Sequence, residues 1–258
     1  LPAKKNCTFF EKIARGAYSV SKKVLTLRCT MRTSCVINSE QLWMVMGINV
    51  KIAAISYLNT IPFIYGIRHE GSLCAELLFA PPSQNVQHFI EGRVDLALVP
   101  AAVAPTLKDA EIITDYCIGA VGAVRTVVIV SNTPIEQVER IWLDAHSRTS
   151  VQLSGYLAKN RWKISPQWLA MDDYSVMECP KQGDAYLIIG DKCFEYEGRF
   201  KYTYDLAEEW IAQTRLPFVF AVWVARKGLS YDVHDALERA LTFGIEHTYE
   251  AILESDYA

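Results

Sequence analysis

The strongest constraint in this sequence is the alternation of short apolar runs with helix-type patterns. Runs such as VKIAAI (50–55), DLALVP (95–100) and FVFAVWVA (218–225) show little polar alternation, which is typical of strands covered on both faces. Segments with capping signals or helical periodicity separate the runs, for example at 82–92 and 149–159. Strands and helices that keep exchanging places predict an α/β fold with largely parallel sheets.

The body of the chain is expected to divide into two lobes. The strand-like segments 125–131 and 218–225 would carry the chain from one lobe to the other and back. We therefore predict a discontinuous first lobe from 49–129 and 222–258, and an inserted second lobe from 130–221. A cleft between two such lobes is a natural site for a small ligand.

Both ends of the sequence differ from the body. Residues 1–48 are predicted to be a basic extension, either a targeting peptide, a disordered segment or translated sequence upstream of a start at Met46. The last interpretation is favoured because a short polar lead and a strand follow Met46. At the other end, the helical pattern of 229–258 stops without a capping glycine, so we expect the natural protein to continue beyond it.

Composition and charge argue against several classes of protein. The 258 residues are 51% hydrophobic and 21% charged, which is typical of a soluble globular protein. No apolar stretch approaches the ~20 residues that span a bilayer. Residues 1–45 carry a net charge of +6, and the rest of the chain, with 18 basic and 27 acidic residues, carries −9. An acidic body disfavours binding to a phosphate backbone. We expect neither a membrane nor a nucleic-acid partner.

The cysteines and histidines indicate the compartment and the absence of a metal site. Seven cysteines form an odd set without a CxxC pair, which suits mostly buried thiols in a reducing, cytoplasmic environment. The five histidines show no spacing typical of metal ligands. We therefore predict no bound metal.

Four polar clusters lie where predicted strands end, which is where open α/β sheets bind ligands. In the first cluster, SYLN (56–59), Asn59 or the following Thr60 would cap a helix that has Pro62 in its first turn. Alternatively, the Asn59 amide, which both donates and accepts, would bind a substrate hydroxyl or carboxylate. The residues alone leave both interpretations open.

The second cluster, SRTS (147–150), begins a predicted helix. Its hydroxyls would either cap that helix or, with the free backbone N–H groups and the helix dipole, bind an anion. Four hydrogen-bonding side chains in succession favour the anion site.

The third and fourth clusters are GD (190–191) and TRLPFVFAVW (214–223). Asp191 would cap a helix, pair with Lys192, or serve in proton transfer as the best-placed carboxylate of the body. The fourth cluster indicates a turn and a buried crossing strand. No GxSxG, P-loop or GxGxxG motif is present. The residues thus predict a protein that binds or transforms a small anionic molecule.

Five segments together resemble one family, the chorismate dehydratases of the futalosine route to menaquinone. The segments are ISYLNTIPFIYG (55–66), GRVDLALVP (92–100), LDAHSRTSVQL (143–153), DAYLIIGDK (184–192) and YDLAEEWIAQTRLPFVFAVW (204–223). They follow in order over 48–258, and the SYLN start and the W-x3-T-x-LPFVFAVW block are the more specific motifs.

The resemblance implies a fold like that of type 2 periplasmic binding proteins, with two α/β lobes around a ligand cleft. It also implies that chorismate loses water to give 3-[(1-carboxyvinyl)oxy]benzoate, without a metal or an organic cofactor. Asn59 would contact the reacting ring at the cleft floor, and the base would be Asp191 or the substrate's own enolpyruvyl carboxylate. The expected substrate-binding residues are Ser56, Tyr57, Thr126, Ser147, Arg148, Thr149, Ser150 and Gly190.

The chain departs from the family pattern at one substrate contact. Many relatives carry a serine after the third strand, where this chain has Ala101 and Ala102, so Thr126 or Tyr57 would have to replace that hydrogen bond. Two rival interpretations remain: a non-catalytic protein that binds a small carboxylate in the same cleft, and a truncated fragment that folds poorly.

Overall fold

The computed structural model describes residues 48–144 and 147–255, and its strands form two five-stranded sheets. The prediction for residues 1–48 therefore lies, apart from Ile48, outside the described residues. The strands are β1 (Ile48–Ala54), β2 (Leu73–Phe79), β3 (Leu96–Pro100), β4 (Ala110–Ala120), β5 (Val127–Ser131), β6 (Arg140–Asp144), β7 (Gln167–Met171), β8 (Asp184–Ile189), β9 (Tyr202–Asp205) and β10 (Phe218–Arg226).

The two sheets share one strand arrangement. The first sheet has the order β2-β1-β3-β10-β4 and the second the order β7-β6-β8-β5-β9. β1 pairs in parallel with β2 and β3, whereas β10 pairs antiparallel with β3 and β4. In the second sheet β6 is parallel to β7 and β8, and β5 is antiparallel to β8 and β9. The prediction of an α/β fold is confirmed, but each sheet is mixed because one strand runs against the other four.

The antiparallel strands, β5 and β10, are the first strands that the chain forms after it has passed from one sheet to the other. β5 lies entirely in the second sheet, although residues 127–129 were expected in the first lobe. β10 lies entirely in the first sheet, although residues 218–221 were expected in the second lobe. The expected lobe boundaries thus fall inside these two strands. Each of the two strands pairs only with strands of its own sheet.

Seven α-helices lie in the described part of the chain. They are α1 (Ile61–His69), α2 (Pro82–Ile90), α3 (Thr149–Leu157), α4 (Lys192–Glu195), α5 (Leu206–Thr214), α6 (Tyr231–Glu246) and α7 (Thr248–Glu254). The helical pattern of 229–258 is interrupted at His247, whose backbone (φ −111°, ψ 34°) leaves the helical region between α6 and α7. None of the described helices combines the length and apolarity needed to cross a bilayer.

The first lobe depends on a close crossing of α1 and α6. A Cβ atom on Gly66 would lie 1.9 Å from the Ala240 carbonyl oxygen, and one on Gly244 would lie 1.8 Å from that of Pro62. The two helix backbones therefore touch where these glycines meet. α1 is fixed in this way directly after the SYLN segment, so the crossing also positions that segment.

Asp205, in the second lobe, binds the segment that leads from β4 to β5. Its Oδ1 accepts the backbone N–H groups of Ala207 and Glu208 at 3.0 and 3.1 Å, which caps α5. Its Oδ2 accepts those of Val124 and Arg125 at 2.9 and 2.6 Å. One buried carboxylate thus joins the start of α5 to the chain between β4 and β5.

Candidate functional site

A cleft lies between the two lobes and collects most of the predicted site residues. Its water-accessible volume is about 80 Å³, and the empty space counted out into the open mouth is about 620 Å³. Eight of the ten predicted residues line it: Tyr57, Asn59, Thr126, Ser147, Arg148, Thr149, Ser150 and Gly190. Thr60 and apolar residues of both lobes complete the lining: Ile55, Pro82, Pro100, Ile118, Val124, Val127, Ile189, Phe220 and Ala221.

The SYLN segment folds into a short 3-10 helix (Leu58–Thr60) that runs directly into α1. The Thr60 hydroxyl is buried and lies 2.5 Å from the carbonyl oxygen of Ile55 and 2.7 Å from that of Tyr57. It also accepts the backbone N–H of Tyr57 at 3.2 Å. Thr60 therefore ties the segment to itself, and its side chain makes no hydrogen bond that caps α1. Asn59 is exposed and lines the cleft.

The SRTS segment brings the N-terminus of α3 to the cleft. Ser147, Thr149 and Ser150 are buried, whereas Arg148 is exposed at the start of the helix. The first backbone N–H groups of a helix have no partner within it, and the helix dipole makes this end partly positive. With the Arg148 guanidinium on the lining, this wall of the cleft suits a carboxylate.

Thr149 has a further role in the structure. Its hydroxyl donates to the Phe220 carbonyl at 2.9 Å and accepts the backbone N–H of Ala102 at 3.3 Å. Thr149 belongs to the second sheet's lobe, and both partners belong to the first. The proton of the Thr149 hydroxyl is thus donated from the second lobe to a carbonyl of the first.

The alanines that replace the expected serine lie away from the cleft lining. Ala101 is fully buried, and Ala102 contributes its backbone N–H to Thr149. Thr126 does line the cleft, and its carbonyl accepts the backbone N–H of Gly190 at 2.8 Å. The Thr126 hydroxyl lies 3.5 Å from the Val124 carbonyl oxygen, a long contact that it can exchange for one with a ligand in the cleft.

Two predicted residues, Ser56 and Asp191, lie outside the cleft lining. Ser56 borders a separate hollow on the first lobe, together with Tyr65, Arg68 and Phe79. Asp191 accepts the backbone N–H of Leu58 with Oδ2 at 3.2 Å, across the gap between the lobes.

Sequence reasoning did not single out Asp144 and Tyr174, which stand beside the SRTS segment. Asp144 ends β6 and is 3% exposed, and Tyr174 donates its hydroxyl to Asp144 Oδ2. Burial, reinforced by this carboxylate, raises the pKa of Tyr174 above its ordinary value. The one sequence feature that could have pointed to Asp144 is its position as an acid at the end of the predicted strand IWLD. Within the described residues, no three His, Cys, Asp or Glu side chains are grouped as metal ligands would be.

A family model described as menaquinone biosynthesis matches residues 50–255, which is most of the chain. The protein belongs to this menaquinone biosynthesis family. The expected resemblance is thereby confirmed at the level of the family. A chorismate dehydratase from Thermus thermophilus is 26% identical over 189 residues, which cover 66% of this chain and 68% of that enzyme.

Solved structures confirm the two-lobed fold of this family member. A protein from Archaeoglobus fulgidus superposes with a TM-score of 0.60 at 20% identity, covering 80% of each chain. The periplasmic aliphatic sulphonate binding protein of Escherichia coli gives a TM-score of 0.52 at 13% identity, covering 80% of this chain and 77% of its own. The fold is therefore that of periplasmic binding proteins, as the resemblance implied.

Proposed function

We propose that this protein is a chorismate dehydratase that converts chorismate to 3-[(1-carboxyvinyl)oxy]benzoate in the futalosine route, acting in the cytoplasm as a carbon–oxygen lyase. One observation carries the proposal: in a chain of the menaquinone biosynthesis family, the exposed Asn59 and the N-terminal end of α3 line the same cleft. The 26% identity to a chorismate dehydratase supports the choice of reaction.

In this proposal the wall formed by SRTS holds one carboxylate of chorismate. The free N–H groups at the start of α3 and the hydroxyls of Ser147 and Ser150 provide hydrogen bonds, and Arg148 provides the positive charge. Thr126 and Tyr57 line the cleft in place of the missing serine and provide further hydroxyls.

The proposed reaction breaks a ring C–H bond and the C–O bond of the hydroxyl on the adjacent carbon. The base takes the ring proton, the electron pair of that C–H bond forms the new ring double bond, and the base passes the proton to the departing hydroxyl, which leaves as water. Because the ring becomes aromatic, the product is strongly favoured and the protein needs mainly to hold the reacting groups in place. Asn59 would hydrogen-bond the departing hydroxyl or the neighbouring carboxylate.

The composition of the cleft favours the substrate's own carboxylate as the base. The described residues that line the cleft include no Asp, Glu, His or Lys. A general base must come within hydrogen-bond reach of the proton that it removes. The enolpyruvyl carboxylate, held against the reacting carbon when the lobes enclose chorismate, meets this requirement without a protein base.

The same composition supports a second candidate, a non-catalytic protein that binds a small carboxylate. The discriminating experiment incubates the purified protein with chorismate, follows the loss of the diene absorbance, and checks that the product mass is lower by one water. Asn59→Ala is expected to lower turnover by about 10²–10³-fold, as for other lost transition-state donors. Asn132→Ala is the matched control, because the Asn132 side chain is exposed and contacts the backbone of Lys201 instead.

Each outcome has a definite meaning. Dehydration that requires Asn59 but not Asn132 supports the enzyme and places its site. Chorismate binding by calorimetry without turnover would favour the binding protein. Near-normal turnover by Asn59→Asp would remove Asn59 from the chemistry.

A further inference from the structure

Two contacts join the Asn59 segment to the opposite lobe. The backbone N–H of Leu58, the residue directly before Asn59, donates to Asp191 Oδ2 at 3.2 Å across 133 positions of sequence. Beside it, the Tyr57 ring lies against Gly190, where a Cβ atom would come within 3.1 Å of the ring. The segment 57–58 of the first lobe thus rests on the turn 190–191 of the second.

The position of Asp191 is unsuited to proton transfer in the cleft. Asp191 precedes the short helix α4 and does not line the cleft, although its neighbour Gly190 does. One of its carboxylate oxygens accepts a backbone N–H from the other lobe. Hydrogen bonds in which the acceptor is ionised are about twice as strong as neutral ones. The geometry therefore suits a group that holds a backbone in place.

We infer that Asp191 is a positioning residue for Asn59. By accepting the Leu58 N–H it fixes the segment that carries Asn59, and because it stands on the other lobe it couples the placement of Asn59 to the approach of the two lobes. This assignment rests on the proposed function for the chemistry of Asn59. The contact between Asp191 and Leu58 does not depend on that function.

Paired substitutions of Asp191 separate positioning from proton transfer. Asp191→Asn keeps an oxygen that can accept the Leu58 N–H, so it should retain kcat/KM for chorismate within about fivefold, whereas Asp191→Ala should lose about 10–100-fold. Glu195→Gln removes an exposed carboxylate one turn further along and should leave kcat/KM unchanged. If Asp191 is instead the base, Asp191→Asn and Asp191→Ala both lose about 10²–10⁴-fold, and the inference is overturned.

A double-mutant cycle tests whether Asp191 acts through Asn59. Affinity for the dehydration product, which the protein does not consume, is measured by calorimetry for the wild type, for Asn59→Ala, for Asp191→Ala and for the double variant. Positioning predicts that Asp191→Ala weakens binding in the wild-type background and has little further effect once Asn59 is absent. Fully additive losses would overturn the inference, as would unchanged affinity in Asp191→Ala.

Hydrogen exchange gives a readout that needs no turnover. In the ligand-free protein, Asp191→Ala should speed exchange of the Leu58 amide by about tenfold or more, and Glu195→Gln should not. Unchanged exchange in Asp191→Ala would show that the contact does not hold the segment. If the wild-type protein fails to dehydrate chorismate while Asp191→Ala still speeds Leu58 exchange, the proposed function is refuted and the positioning contact stands.

Discussion

The hydroxyl of Thr149 donates a 2.9 Å hydrogen bond to the carbonyl of Phe220, and the two residues belong to different lobes. The same hydroxyl accepts the Ala102 N–H. A single threonine at the start of α3 therefore satisfies two backbone groups of the first lobe, at the place where the chain lacks the expected serine. The hydroxyl joins the lobes as well as lining the cleft.

We expect Thr149→Val to destabilise the protein by about 1–3 kcal/mol, because it keeps the shape of the side chain but leaves the buried Ala102 N–H without its partner. It also removes one of the two donors to the Phe220 carbonyl, which keeps the Ala101 N–H at 2.9 Å. Thr149→Ser, which keeps the hydroxyl, should cost less. The free energy of unfolding in urea measures both.

Thr106→Val is the matched control for Thr149→Val. The Thr106 hydroxyl is exposed and donates to the Val103 carbonyl, so its loss should change stability by less than about 0.5 kcal/mol. Equal effects at Thr106 and Thr149 would contradict the importance of the contact between the lobes.

Gly66→Ala is expected to destabilise the first lobe strongly. Its Cβ would lie 1.9 Å from the Ala240 carbonyl oxygen, so α1 and α6 would have to separate. Forced separation of a packed interface usually costs at least about 1–3 kcal/mol. Gly155→Ala, in the interior of α3 with no atom within 4 Å of the new Cβ, should instead be neutral or stabilise by up to about 1 kcal/mol. Thermal unfolding of both variants separates the effect of the close helix contact at Gly66 from the general effect of alanine on helix stability. A Gly66→Ala variant as stable as the wild type would refute the close crossing of α1 and α6.

Gly190→Ala should weaken binding of chorismate as well as stability. Gly190 has φ +70° and its Cβ would press on the Tyr57 ring, which lines the cleft. Gly198→Ala carries the same backbone penalty, at φ +76°, but meets no atom within 4 Å. Both variants should lose about 1 kcal/mol of stability, and only Gly190→Ala should raise the Kd by more than about threefold. Calorimetry with the dehydration product, which the protein does not consume, makes the comparison in place of chorismate, and equal Kd values would argue against a role of the Tyr57 ring in the site.

The cysteines of the second lobe should differ sharply in reactivity. Burial raises the pKa of the Cys193 thiol to about 12, so at pH 8 only about one thiol in 10⁴ is ionised. Cys179 is exposed. Alkylation by iodoacetamide, followed peptide by peptide by mass spectrometry, should therefore modify Cys179 at least about 100-fold faster than Cys193. Comparable alkylation rates would show that the packing around the buried Cys193 side chain opens readily to solvent.

Much of the fold could be predicted because local pattern specifies it. The apolar run LALVP of β3 and the run FVFAVWV of β10 are buried along their length, and such runs predict strands whatever their partners. β4 was harder to predict, since its eleven residues include none that is fully buried and therefore lack a clear period. The site was predictable in part for the same reason. Polar residues that follow buried strands within a few positions, such as Asn59 and Ser147, are brought near the cleft by the strand ends.

The sequence by itself determined the α/β class, most of the strands and the family, because these depend on residue types and periodicities within short segments. The tertiary structure decided which sheet each crossing strand joins, that Ser56 borders an outer hollow while Asn59 lines the cleft, and that Asp191 holds Leu58. These features depend on contacts between residues far apart in the chain. The neighbour that a side chain or an N–H group meets across 133 positions is set by the packing of whole lobes, which no local pattern encodes.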